Sequence, residues 1–256
     1  MRRLPRPLPF FEVMLLMDQK QYRYSTDTLL SQRIRVLRSS AIRDLLHDAK
    51  RPGMLSLAGG LPAPDLFDVE GIEQAFAQVM REAPRQALQY GTTDGQPSLR
   101  ESLAALMAQR GAVVSADAIV VTSGSQQAID LLGRTLVDAG DQVALERPSY
   151  LAALQAFALS EARFVTIPAD AGGACVEQLF EMNGPPPKLV YLVSNFANPT
   201  GATLTLARRR ALLQWALRRR VFLVEDDPYG ELRIDGTAPP PLIALARELP
   251  GAEQWC

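Results

Sequence analysis

From residue 118 onward the chain alternates between short apolar runs and longer segments whose apolar positions recur every three or four residues. AIVVT (118–122), QVALE (142–146), RFVTIP (163–168), KLVYLVS (188–194) and VFLVED (221–226) have the length and β-branched content of buried strands. QQAIDLLGRTLVD (126–138), YLAALQAFALS (150–160), VEQLFEM (176–182) and TLARRRALLQWALRRR (205–220) have helical spacing. Strands that alternate with helices predict a mostly parallel sheet covered on both faces, an α/β three-layer sandwich. Upstream, Ile34, Leu37, Ala41, Ile42, Leu45 and Leu46 predict a helix within 31–50. Further helices are expected over about 69–82 and from Leu99 to Arg110, the latter ended by Gly111. Between them MLSLAGGLPAPDLF (54–67) holds two glycines and two prolines, which suits a shaped loop.

Composition narrows the function classes. With 256 residues, 47% hydrophobic and 21% charged, the chain is neither disordered nor a disulfide-stapled miniature. A formal net charge of -1 gives no electrostatic grip on nucleic acid or on an anionic membrane. Cys175 and Cys256 are the only cysteines, so neither a disulfide framework nor a thiolate metal cluster is expected, and a reducing, cytoplasmic setting fits. His47 is the only histidine, which removes multi-histidine metal sites and leaves little room for a Ser-His-Asp triad. No apolar run approaches the roughly 20 residues of a membrane span. Arg2, Arg3 and Arg6 before an apolar stretch resemble a signal peptide, but Pro9 and Glu12 interrupt it. An overextended start, with Met14 or Met17 as the first residue, is the alternative.

Ligands of open α/β sheets bind beyond the carboxyl ends of the strands. At the end of the first run, Ser123-Gly124-Ser125-Gln126 leads straight into a helix. It reads either as a phosphate cradle or as a serine cap. The last run ends in Glu225-Asp226-Asp227-Pro228-Tyr229, where three carboxylates on an apolar strand imply that at least one faces a cation. Asp226 and Tyr229 are spaced to put a carboxylate and a phenol on one ligand. After the fourth run, Asn198-Pro199-Thr200-Gly201 is a turn by composition. The triplets Arg208 to Arg210 and Arg218 to Arg220 read as a solvated helix face rather than a nucleic-acid patch.

Taken in order, GGLPAP (59–64), LQYG (88–91), TSGSQQA (122–128), PSY (148–150), NPTG (198–201) and EDDPYGEL (225–232) resemble the fold-type I pyridoxal phosphate aminotransferases. The likeness is strongest to the branch with 2-aminoadipate and kynurenine aminotransferases, and it runs from about residue 33 to the last residue. It implies the large domain of that fold, incomplete at the C-terminus. The cofactor would be pyridoxal 5'-phosphate and the substrates an amino acid and a 2-oxo acid. Ser123, Gly124, Ser125 and Gln126 would bind the phosphate, and Tyr150 would stack on the ring. Asp226 would pair with the protonated ring nitrogen, while Asn198 and Tyr229 would bond the phenolate oxygen. Tyr90 would reach the cofactor of a neighbouring subunit, implying a homodimer. Gly60, Asn198 and Arg43 would meet the substrate.

The resemblance also implies a Schiff-base lysine in a Ser-x-Ser-Lys-like segment, which is not found. The only lysines are Lys20, Lys50 and Lys188, and none fits. The expected organisation is a leader (1–30), an N-terminal helix and substrate loop (31–70), and a truncated cofactor domain (71–256), without the small C-terminal domain. The chain therefore reads as an aminotransferase fragment, inactive alone. The alternative is the aminotransferase-like effector domain of a transcriptional regulator that has lost its DNA-binding module.

Overall fold

The computed structural model describes residues 29–35, 54, 60 and 62–256. The chain divides into two compact units, Met1–Arg38 and Ser39–Cys256. In the first, the described residues include a short helix, Gln32–Arg35, with Arg35 Nε donating to Leu30 O at 3.0 Å. The rest of the helix expected within 31–50, and with it Arg43, lies outside the described residues, as does most of the leader. The second unit carries the sheet.

Five strands form that sheet: β1 (Gln142–Arg147), β2 (Arg163–Asp170), β3 (Gly173–Ala174), β4 (Leu189–Val193) and β5 (Phe222–Asp226). Their order is β3-β2-β1-β4-β5, parallel throughout except for the two-residue β3. Among the described residues, the helices of nine residues or more are α1 (Val69–Glu82), α2 (Pro97–Gln109), α3 (Ser125–Leu136), α4 (Leu151–Leu159) and α5 (Leu206–Arg219). Local chemistry sets their ends. Asp68 caps α1 by accepting from Gly71 N at 2.9 Å, Pro97 opens α2, and Thr205 caps α5 by accepting from Arg208 N. Among the described residues no helix is long and apolar enough to cross a membrane.

Side chains on a strand alternate between faces, and the two faces bury separate cores. Val143, Leu145, Leu189, Tyr191 and Val193 pack against Ile129 of α3 and Ala153, Ala156 and Phe157 of α4. Ala144, Ile167, Val190, Leu192 and Leu223 pack against Leu212, Leu213, Trp215 and Ala216 of α5. This is the three-layer α/β sandwich that the patterning predicts.

Three expectations need correction. AIVVT forms no strand: a 3-10 turn covers Ala116–Ala118, Val120 is 62% exposed, and Val121 N bonds outside the sheet, to Asp94 O at 2.9 Å. An apolar run becomes a strand only beside a partner ladder, and none pairs with it among the described residues. VEQLFEM shortens to a four-residue helix, Glu177–Phe180. The solvated face fails at Arg209, which is fully buried. Its neighbours Arg208 and Arg210 are tied to Asp170 and Glu177 and to Glu248.

Glu146, near the end of β1, is 4% exposed. Burial raises its pKa from 4.5 to about 7, and Val193 N, 3.4 Å away, offsets only part of this. The folded carboxyl therefore keeps a proton that the unfolded one has lost. Its contribution to stability is fully present below pH 4.5 and is lost as pH rises to about 7. Glu146→Gln is expected to stabilise the chain by about 2–3 kcal/mol at pH 8 and by almost nothing at pH 4. Urea unfolding at the two pH values checks this; an equal gain at both would contradict it.

Candidate active site

Three parallel strands end together. The register sets Leu145 of β1 beside Tyr191 of β4, and Val193 beside Asp226 of β5. The turns beyond β1, β4 and β5 carry Pro148-Ser149-Tyr150, Asn198-Pro199-Thr200-Gly201 and Asp227-Pro228-Tyr229. The peptides before Pro148 and Pro199 are cis.

Strand alternation sorts the three carboxylates of β5. Glu225 points into the α5 layer, where it accepts from Ser194 Oγ (2.6 Å), Arg209 Nη1 (3.0 Å) and Leu242 N (2.6 Å). Asp227 pairs with Arg110 at the end of α2. Asp226 points to the other face, where the Tyr191 hydroxyl donates to its Oδ2 at 2.5 Å. The cation expected beside these carboxylates is thus present twice, as Arg209 and Arg110, and neither serves Asp226. Burial raises the Asp226 pKa; the Tyr191 hydrogen bond opposes this and the charge on Asp227 adds to it. A carboxylate in that setting is stabilised by any cation that arrives beside it.

Tyr150 and Tyr229 pack against the core layer that contains Tyr191. Burial raises the Tyr150 pKa, and the nearby Asp226 and Tyr229 raise it further, which places the three groups in one neighbourhood. Asn198 and Tyr229 line a cavity of about 770 Å³ together with Gly60, Phe196, Gly201 and Leu232. Asp226, Tyr150 and the 123–126 turn are not among its lining residues; Tyr229 links the cavity to the first two.

The 123–126 turn shows no serine cap. Gly124, at φ 77°, is the N-cap of α3, and no side chain caps the helix. The backbone N–H of Ser123 instead donates to Gln127 Oε1 at 2.5 Å. The amide of Gln126 donates to Ala152 O at 3.3 Å, tying the start of α3 to the first turn of α4, just after Tyr150. A helix N-terminus without a cap retains backbone N–H groups for an anion. Tyr90 is 99% exposed and touches none of this. Gly60, at φ 56°, does reach the cavity, while Arg43 lies outside the described residues.

Sequence reasoning missed Tyr191, Arg110 and Arg209. A lone phenol inside the apolar run KLVYLVS was the available signal, since a buried tyrosine hydroxyl needs a partner. No comparable signal marks Arg110. Among the described residues, no group of His, Cys, Asp or Glu could hold a metal ion.

A family model described as aminotransferase class I and II matches residues 54–250. A 2-aminoadipate transaminase of Thermus thermophilus is 43% identical over 213 residues, 83% of this chain and 52% of that protein. The crystal structure of Pyrococcus horikoshii kynurenine aminotransferase, in complex with PMP and with KYN and KYA as substrate and product, superposes with a TM-score of 0.80 at 41% identity. The match covers 87% of this chain and 56% of that one. The uncharacterized HTH-type transcriptional regulator YdcR of Escherichia coli is 30% identical over 208 residues, 80% of this chain and 44% of that protein. The chain spans about half the length of the curated relatives it matches.

Proposed function

This chain belongs to the class I and II aminotransferases, and from that premise we propose that its strand-end site holds pyridoxal 5'-phosphate for moving an amino group between an amino acid and a 2-oxo acid. The observation that carries the reading is Asp226: a part-buried carboxylate, held by Tyr191, with no arginine or lysine paired to it among the described residues. Bound, the cofactor would supply an electron sink for the substrate carbon.

The chain's own residues divide the work of holding it. Asp226 would face the ring nitrogen and favour its protonated form. Ser123, Gly124, Ser125 and Gln126 offer the uncapped start of α3 to the phosphate. Tyr150 would cover one face of the ring, and Asn198 and Tyr229 would donate to its phenolate oxygen. Gly60 and Arg43 approach the substrate, and Tyr90 serves the site of a second copy in a homodimer. The setting is cytoplasmic. The reaction also needs an amine that carries a proton beside the ring. Lys188 lies at the start of β4, 3.8 Å from Asp141, at the other end of the strand from Asp226's neighbour Val193. Among the described residues no lysine stands beside Asp226, and on this reading the chain binds the cofactor without completing the transfer by itself.

The likeness to YdcR keeps a second reading in view, an effector domain in which the same pocket senses rather than reacts. A chain that binds an amino acid or pyridoxal phosphate, yet stays without turnover when the missing segment is restored, would favour it. A net charge of -1 gives the chain itself no electrostatic grip on nucleic acid in either reading.

Calorimetric titration with pyridoxal phosphate tests the proposal. One equivalent per chain is expected to bind, and Asp226→Ala is expected to weaken it about 30-fold or more, since a buried charge pair that loses one partner costs at least about 2 kcal/mol. Undiminished binding by the variant would overturn the reading.

A further inference from the structure

Tyr191 is fully buried in the middle of β4, its ring edge-on to Phe157 with centroids 6.0 Å apart. Among the described residues its hydroxyl has one partner, Asp226 Oδ2, at 2.5 Å. Burial and the neighbouring Asp226 raise the phenol's own pKa far above its ordinary value, so it stays protonated and can only donate to the carboxylate. The packed ring fixes χ1 and χ2, which leaves the hydroxyl no other place to go.

We propose that Tyr191 is the positioning residue of the site: it holds Asp226 as an oriented carboxylate, occupying Oδ2 so that Oδ1 is presented to a cationic ring nitrogen. The proposal deepens the cofactor reading above and rests on it for the identity of the cation, but the effect of Tyr191 on Asp226 exists without any cofactor. Among the described residues, the other titratable groups around this pair are Asp227, the next residue along the chain, Tyr150 and Tyr229 from the adjoining turns, and Glu146 of β1, which acts on Tyr191. Asp227 opposes ionisation of Asp226, and no phenol besides Tyr191 bonds to it among the described residues. Tyr191 alone therefore offsets part of the burial that pushes Asp226 toward its neutral form. A neutral Asp226 has no charge to set against a protonated pyridine. Loss of one buried hydroxyl, at the third residue of β4, would thus weaken a contact made by a different residue.

The test follows the carboxyl carbon of Asp226 by carbon-13 NMR across a pH titration of the cofactor-free chain. Tyr191→Phe keeps the ring and its packing, and its Asp226 midpoint is expected to rise by about one pH unit or more. Phe157→Leu disturbs the same ring but spares the hydroxyl, and its midpoint is expected to stay within about 0.3 unit of the parent. In the unmodified chain the Tyr191 Cζ resonance should shift at the Asp226 midpoint, a readout that needs no variant. With pyridoxal phosphate added, Tyr191→Phe is expected to bind about tenfold more weakly, matching a one-unit shift. A Tyr191→Phe midpoint equal to the parent's, or a Tyr191 resonance indifferent to Asp226, would overturn the positioning role. A raised midpoint in a chain that takes up no pyridoxal phosphate would uphold it while refuting the cofactor reading.

Discussion

Arg209→Met is expected to destabilise the fold by about 3–5 kcal/mol, because it strips a buried carboxylate of its partner. Arg209 is 0% exposed and donates five hydrogen bonds: to Leu204 O (2.9 Å), Ser194 O (2.9 Å), Asn195 Oδ1 (2.9 Å), Pro240 O (3.1 Å) and Glu225 Oε1 (3.0 Å). Those acceptors come from the loop after β4, from β5 and from the segment before Leu242, so a single guanidinium ties α5 to the underside of the site. Burial lowers its own pKa, and Glu225 opposes that most. Methionine fills the volume but answers none of the five acceptors. For a chain of this size the loss corresponds to a fall in Tm of roughly 6–20 °C. Thermal unfolding followed by circular dichroism measures it. Arg209→Met/Glu225→Leu, which removes the orphaned charge as well, should recover part of the loss. A single-variant cost below about 1 kcal/mol would show that the network is ornamental.

The second large effect is on turnover. Saturated with pyridoxal phosphate and supplied with amino acid and 2-oxo acid, this 256-residue chain is expected to show no transamination above the cofactor-in-solution background. A missing general acid-base group alone costs about 10²- to 10⁴-fold. Losing a covalent attachment point adds to that. The three lysines are Lys20, Lys50 and Lys188, and the one among the described residues sits at the wrong end of β4. Stopped-flow absorbance with a panel of amino acids makes the measurement. Turnover per bound cofactor at even a few per second would contradict the expectation.

Periodicity alone made four of the five predicted strands legible. QVALE, RFVTIP, KLVYLVS and VFLVED all lie in the sheet; QVALE and KLVYLVS read as continuously apolar because they are buried on both faces, while RFVTIP, with Ile167 its one buried residue, was legible from its β-branched content. AIVVT carries the same signal and forms no strand, since hydrogen-bond partners for a ladder are a property of the fold and not of the run. The site was legible in part. Asn198, Tyr229 and Gly60 meet at one cavity, and Asp226 lies near Tyr150, because motifs at strand ends converge wherever the strands are parallel. The buried pairings were not legible. Nothing in the sequence separates Arg209 from Arg208 and Arg210, yet the helical phase buries only Arg209 fully. Likewise the run Glu225-Asp226-Asp227 hides its division of labour until alternation across the sheet sends its middle member to the opposite face from its neighbours.

Borohydride reduction of the chain loaded with pyridoxal phosphate, followed by peptide mapping, tests the central claim most directly, because it asks whether the cofactor is held by strand-end contacts or by a lysine. Stoichiometric cofactor that binds before reduction, leaves on unfolding afterwards and marks no lysine peptide in comparable yield is the predicted result. Stoichiometric labelling of Lys20, Lys50 or Lys188, accompanied by turnover of an amino acid, would contradict it.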